Sequence, residues 1–309
     1  MSIRFCKLLT ILLLLISFLY SSEPISPIPQ KISYDRSKAK LGKRLFNDTI
    51  LSKDNTISCT TCHILSSGGD NNIKFSFGIG GQVGDINAPT VYNSIYNFRQ
   101  TWNGRNEDLA SQALGVIENP IEMGDDINFI ISKLQKDKSY SDEFKSIYED
   151  GVTKDNLIDA IAEFEKALIT PNSPFDKFLR GDRDAISQRA KNGYELFKSK
   201  GCILCHHGVN IGGNLYNTFG IYEDVNSTRL GRYEVTKKDE DKLSFKVPSL
   251  RNIELTAPYM HDGRVERLKE AVEIMTKYQL GRYMQDGEID DIVEFLKTLN
   301  GEIPKIARY

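Results

Sequence analysis

The sequence has no surplus of charge, few histidines and no apolar stretch long enough to span a bilayer. Its 40 Lys+Arg stand against 42 Asp+Glu, so no field of one sign points to nucleic acid or to an anionic membrane surface. The apolar run from Leu8 to Tyr20 falls short of the ~20 residues of a spanning helix. Arg4 and Lys7 precede it, and Ser21, Ser22, Glu23 and Pro24 follow, which is the order of a secretory signal. Residues 1–22 therefore read as a signal peptide, and the chain as exported to the periplasm. Leu19 and Tyr20 stand where a cleavage site wants small residues, so an uncleaved N-terminal anchor in the inner membrane stays open. Cys6 lies before the run and is not placed like a lipoprotein cysteine. Three prolines between Glu23 and Pro29 read as an extended tether.

Of five cysteines, Cys6 falls in the leader, and the other four form two Cys-x-x-Cys-His units. These are Cys59-Thr60-Thr61-Cys62-His63 and Cys202-Ile203-Leu204-Cys205-His206. No thiol remains for a disulfide, although an exported compartment permits one. The pentad attaches a c-type haem: both thiols add to the vinyl groups, and the histidine that follows lies under the iron as proximal ligand. A zinc site would need clustered pairs, whereas the first cysteines of these two are 143 residues apart (202 − 59). Two covalently bound haems c are expected.

Candidates for a second axial ligand are few. Histidine occurs at only four positions, 63, 206, 207 and 261. His207 directly follows a proximal ligand and reads as a surface or loop residue. A methionine would raise the potential of its haem, and spacing leaves Met260, Met275 and Met284 tied, with Met123 also available.

The two halves repeat. Ala39-Lys40-Leu41-Gly42-Lys43-Arg44-Leu45-Phe46 matches Ala190-Lys191-Asn192-Gly193-Tyr194-Glu195-Leu196-Phe197, each upstream of a pentad. Pro89 to Arg105 aligns without gaps to Pro248 to Arg264 at an offset of 159 (248 − 89). A period this long means two domains, not a solenoid. The expected architecture is mostly α, with two cytochrome c-like haem domains at 23–172 and 173–309 related by internal duplication. Apolar periodicity predicts helices from Thr153 to about Ile169, from Asp286 to a stop at Gly301, from Asp125 to Gln135 and from Arg267 to Tyr278. Stretches Ser66–Gly84 and Gly208–Phe245 read as long cofactor-covering loops without a sheet.

Further residues resemble the bacterial dihaem cytochrome c peroxidases. They are Asn87-Ala88-Pro89-Thr90, Trp102-Asn103-Gly104-Arg105, Pro120-Ile121-Glu122-Met123-Gly124, Leu168-Ile169-Thr170-Pro171 and Leu255-Thr256-Ala257-Pro258-Tyr259, spread over about Asp35 to Pro304. The resemblance implies that the His63 haem reduces hydrogen peroxide to water. The His206 haem, with Met275 as sixth ligand, would be the high-potential site that takes electrons from a small soluble donor, a cytochrome c or cupredoxin. By the same resemblance Glu122 is the distal carboxylate, Gln112 the amide beside it and Trp102 the residue between the haems. Asn87, Thr256 and Pro258 match positions that bind calcium between the domains, and a homodimer is expected. One departure stands out: Ile79 occupies the place where the family carries a histidine that caps the resting peroxidatic iron. Two alternatives are a non-catalytic electron carrier or sensor, which the missing histidine favours, and a maturation-type dihaem oxidase. The latter uses tyrosine where Met275 stands.

Overall fold

The computed structural model describes residues 23–124 and 126–308, so the expected signal or anchor lies outside the described residues. Each half is built on one pair of crossing helices. In the first, Arg36–Asn47 crosses Lys154–Lys166; in the second, Gln188–Ser199 crosses Asp286–Lys297. Asp35, Thr153 and Ser187 cap three of these helices by accepting from backbone N–H groups of the first turn. The apolar stripe Leu157, Ile161, Phe164 and Leu168 is buried.

Both crossings close at a glycine. A Cβ on Gly42 would lie 1.9 Å from the Ala160 carbonyl oxygen, and one on Gly193 would lie 1.8 Å from that of Asp291. These are the matched glycines of the repeated Ala-Lys…Leu-Phe segment, so the repeat keeps the residue whose missing side chain lets the helix backbones touch.

The gapless second repeat is a repeated backbone. Asn93, Thr101 and Gly104 take positive φ of 60°, 66° and 64°, and Asn252, Met260 and Gly263 take 60°, 72° and 57°. The isolated bridges Gln100–Asn106 and Tyr259–Val265 also recur at the same offset.

The structure departs from the sequence reading in several places. The helix foreseen from Asp125 starts at Ile127 behind the cap Asp126. The stretch foreseen from Arg267 to Tyr278 is an α-helix over Leu268–Ile274 that widens into a π turn over Met275–Gln279. Gly301 does not stop its helix, which ends at Lys297. Its Cβ position is filled instead by the Thr170 carbonyl, 1.9 Å away, so glycine is needed for a close approach. The 208–245 stretch is not free of sheet. Its strand β1, Tyr216–Thr218, pairs antiparallel with β2, Ser244–Lys246. Three residue pairs are too short to impose a readable alternation.

The chain ends are exchanged between the halves. The segment after the leader, read as an extended tether, is packed down: Ile25 joins the core of the second half with Phe175, Tyr194 and Phe295. Ile28 is fully buried, and its N–H donates to Asp176 Oδ1 at 3.1 Å. Asp176 in turn pairs with Arg251 at 2.7 Å, both side chains fully buried, and Arg251 also donates to the Ser26 carbonyl. Conversely, Ala307 with Ile303 and Ile306 packs on Phe46 and Phe164 of the first half. Burial of these apolar side chains, not chain order, decides against which half each segment packs.

Candidate functional site

The two pentads build matching cavity walls. Ser58 caps the single helical turn Cys59–Cys62, and Cys202–Leu204 forms a 3₁₀ turn. Either turn brings both thiols and the following histidine to one cavity, of about 220 Å³ in the first half and about 240 Å³ in the second. His63 Nδ1 lies 3.0 Å from the Gly69 carbonyl oxygen, and His206 Nδ1 lies 3.2 Å from that of Ile211. A carbonyl only accepts, so Nδ1 carries the proton and Nε2 keeps its lone pair for a metal. Burial pushes both imidazoles down, His206 to about 4, which keeps them neutral. The phenylalanine ending each repeated helix segment stands beside its histidine, Phe46 at 6.3 Å from His63 and Phe197 at 6.4 Å from His206. Burial also raises the thiols of Cys59 and Cys202, the latter to about 11. The neutral imidazoles, each with Nε2 free to bind a metal, suit a proximal ligand.

Glu122, Gln112 and Trp102 all line the first cavity. Gln112 comes from the helix Leu109–Ile117, which Asp108 caps. Glu122 Oε1 accepts from Asn119 Nδ2 at 2.7 Å and lies 3.8 Å from Arg105 Nη2. Burial raises the Glu122 carboxyl, against the opposing pull of Arg105 and Asn119. His63 is the only histidine among the residues lining this cavity. Ile79 does not line it. Its N–H donates to the Glu122 carbonyl at 2.9 Å, and its Cδ1 sits where a Cβ on Gly124 would be.

Two of the three tied methionines, Met260 and Met275, line the second cavity. Met284 does not; it is core filler beside Ile289 and Phe295. Met275 begins the π turn, whose wider ring turns side chains relative to the preceding helix. His207 lines neither cavity and lies against Asn214 at 3.0 Å.

Trp102 lines both cavities, as does Asn87, whose carbonyl accepts from Trp102 Nε1 at 2.9 Å. Thr256 and Pro258 line the second cavity only.

Sequence reasoning missed two buried ionisable residues on the cavity walls. The helices Lys154–Lys166 and Asp286–Lys297 correspond at Ile161 and Ile292, and at Phe164 and Phe295; each isoleucine lines its own cavity. The next position is Glu165 in the first cavity and Leu296 in the second. Glu165 is 5% exposed, and its Oε2 has no hydrogen-bond partner among the described residues. Burial pushes its carboxyl up to about 8. Lys246, 6% exposed, lines the second cavity. An acid within a helical apolar stripe and a lysine between Phe245 and Val247 were the available signals.

A family model for di-haem cytochrome c peroxidase matches residues 36–184, and a cytochrome c model matches residues 190–300. The chain is 48% identical to a cytochrome c peroxidase of Escherichia coli K12, covering 91% of this chain and 62% of that longer protein. It is 45% identical to the cytochrome c551 peroxidase of Nitrosomonas europaea, covering 92% of this chain and 86% of the relative. Among solved structures, a MauG-like protein associated with microbial copper homeostasis superposes with a TM-score of 0.80 at 26% identity, covering 92% and 95% of the two chains. With a Cys-x-x-Cys-His pentad on the wall of each cavity and relatives this close over most of its length, the chain belongs to the dihaem cytochrome c peroxidase family.

Proposed function

We infer that this chain is an exported, periplasmic cytochrome c peroxidase. It reduces one hydrogen peroxide to two waters with two electrons and two protons. The observation that carries this reading is that Glu122 and His63 share one cavity which no other histidine lines. When bound through Cys59, Cys62 and His63, the haem supplies an iron that takes up peroxide and passes it electrons.

The chain's own residues handle the protons. Glu122 Oε1 or Oε2 takes a proton from the near peroxide oxygen and returns it to the far one, so that water leaves. Burial holds the Glu122 carboxyl above its ordinary value, while Arg105 and the Asn119 amide pull it back down. These opposed influences suit a group that must both accept and donate. Gln112, on the same wall, orients the substrate.

Trp102 lies between the two cavities and provides the path from the second to the first. Met275 is assigned as the sixth ligand of the second haem, keeping that haem a carrier. Its donor is a small soluble protein, a cytochrome c or cupredoxin, that delivers electrons singly. Asn87, Thr256 and Pro258 are assigned to a calcium ion between the halves, chiefly through backbone oxygens, a ligand type this ion accepts.

The test is peroxide-dependent oxidation of a reduced cytochrome c by the holoprotein. Turnover is expected. Its absence from a protein carrying two haems would overturn the reading.

A further inference from the structure

The second cavity carries one charge. Lys246 is the only lysine, arginine, aspartate or glutamate among the residues that line it. The first cavity is lined by Arg105, Arg229, Asp85, Glu122 and Glu165, and both of its arginines have carboxylate partners, Arg105 with Glu122 and Arg229 with Asp85 and Glu234. Lys246 has none: among the described residues no carboxylate lies within ion-pair distance of its Nζ. Burial alone pushes its ammonium down to about 8.

A buried ammonium without a partner is costly, and such charges persist where something pairs with them. A haem c brings two propionate carboxylates into whichever cavity holds it. In an otherwise uncharged cavity, those carboxylates face the same problem as Lys246, with the opposite sign.

We propose that Lys246 Nζ binds a propionate of the second haem and holds that edge of the haem against Trp102. The backbone makes the link rigid. Lys246 is the end of strand β2, paired in register with Tyr216, and its N–H donates to the Trp102 carbonyl at 2.8 Å. Trp102, which lines both cavities, and the residue that grips the propionate are thus one hydrogen bond apart. A fixed positive charge beside this haem also disfavours its ferric form, which carries one more positive charge than the ferrous, and so raises its potential. The proposal rests on haem attachment and not on the peroxidase reading, so turnover is not its readout.

The test is a spectroelectrochemical titration of the holoprotein, comparing wild type with Lys246→Met and Lys246→Arg. In Lys246→Met the second haem is expected to shift about tenfold toward the ferric form, which is about 59 mV for a one-electron couple. The first haem should not move, and Lys246→Arg should restore the wild-type value. An unchanged second potential in Lys246→Met with both haems attached would overturn the proposal, as would equal shifts of both haems. Should Lys246→Met fail to fold, resonance Raman of Lys246→Arg still decides. Exchange of ammonium for guanidinium shifts the propionate bending band if the contact exists, and an unshifted band refutes it.

Discussion

Asn93 and Asn252, equivalent residues of the two repeats, converge on a single hydroxyl. Asn93 Nδ2 donates to Thr170 Oγ1 at 2.8 Å and Asn252 Nδ2 donates to the same atom at 3.0 Å. Each asparagine begins a 3₁₀ turn from a left-handed conformation. Each also accepts through Oδ1, Asn93 from the Thr170 N–H and Asn252 from the Gly301 N–H. All three side chains are almost fully buried. Thr170 is therefore one point where the duplicated halves are joined by hydrogen bonds, and it joins them at equivalent residues.

Thr170→Val keeps shape and removes the acceptor, leaving two buried amide donors unpaired. A loss of about 2–4 kcal/mol is expected, from roughly 1–3 kcal/mol per orphaned buried group. Chemical denaturation of the holoprotein measures it. A loss below about 0.5 kcal/mol would mean that water replaces the hydroxyl.

Glu122→Gln should preserve folding and both haems while slowing O–O cleavage by roughly 10²–10⁴-fold, the usual worth of a positioned proton-transfer group. Stopped-flow mixing with peroxide reads this directly. A wild-type rate would remove Glu122 from the proton path.

Met275→His should lower the potential of the second haem, since imidazole favours the ferric form more than a thioether does. Peroxide should still react with the fully reduced first haem while steady turnover falls. Unchanged potentials would transfer the ligand role to Met260, the other methionine on that cavity wall.

Glu165 makes stability depend on pH. Burial raises its folded value to about 8 from the ordinary 4.5, so the folded state holds a proton that the unfolded chain releases first. Stability should therefore be fullest below about 4.5 and fall by about 1.4 kcal/mol per pH unit until about 8. Glu165→Leu, which copies the residue at Leu296 in the second half, should flatten that slope. Denaturation curves across pH 5–8 compare the two proteins, and parallel slopes would show that Glu165 is paired or solvated.

Ile79 cannot supply a lone pair, and its side chain is turned to Gly124 rather than into the first cavity. The oxidised protein should therefore give a high-spin ferric signal from the His63 haem and turn over without prior reduction. Electron paramagnetic resonance and an assay with and without pre-reduction test both points. A purely low-spin signal would mean that another residue, Met123 being the nearest in kind on that wall, caps the iron.

Much of this was legible in the residues alone. Two thiols and an imidazole at fixed spacing point to haem attachment because that chemistry depends on local geometry, which a single turn of chain satisfies. The duplication was legible for a similar reason: matched glycines and asparagines mark backbone conformations and close approaches that few other residues tolerate. Tertiary structure decided what depends on which surfaces meet. Spacing could not separate Met275 from Met284, because a buried methionine in a core and one on a cavity wall obey the same helical period. Nor could it send Ile25 to the second half and Ala307 to the first, since burial of apolar surface has no direction along the chain. In sequence Glu165 and Lys246 show only as an acid in a helical apolar stripe and a lysine between two apolar residues. They become buried ionisable groups only where packed helices and a three-residue strand close over them and take the water away.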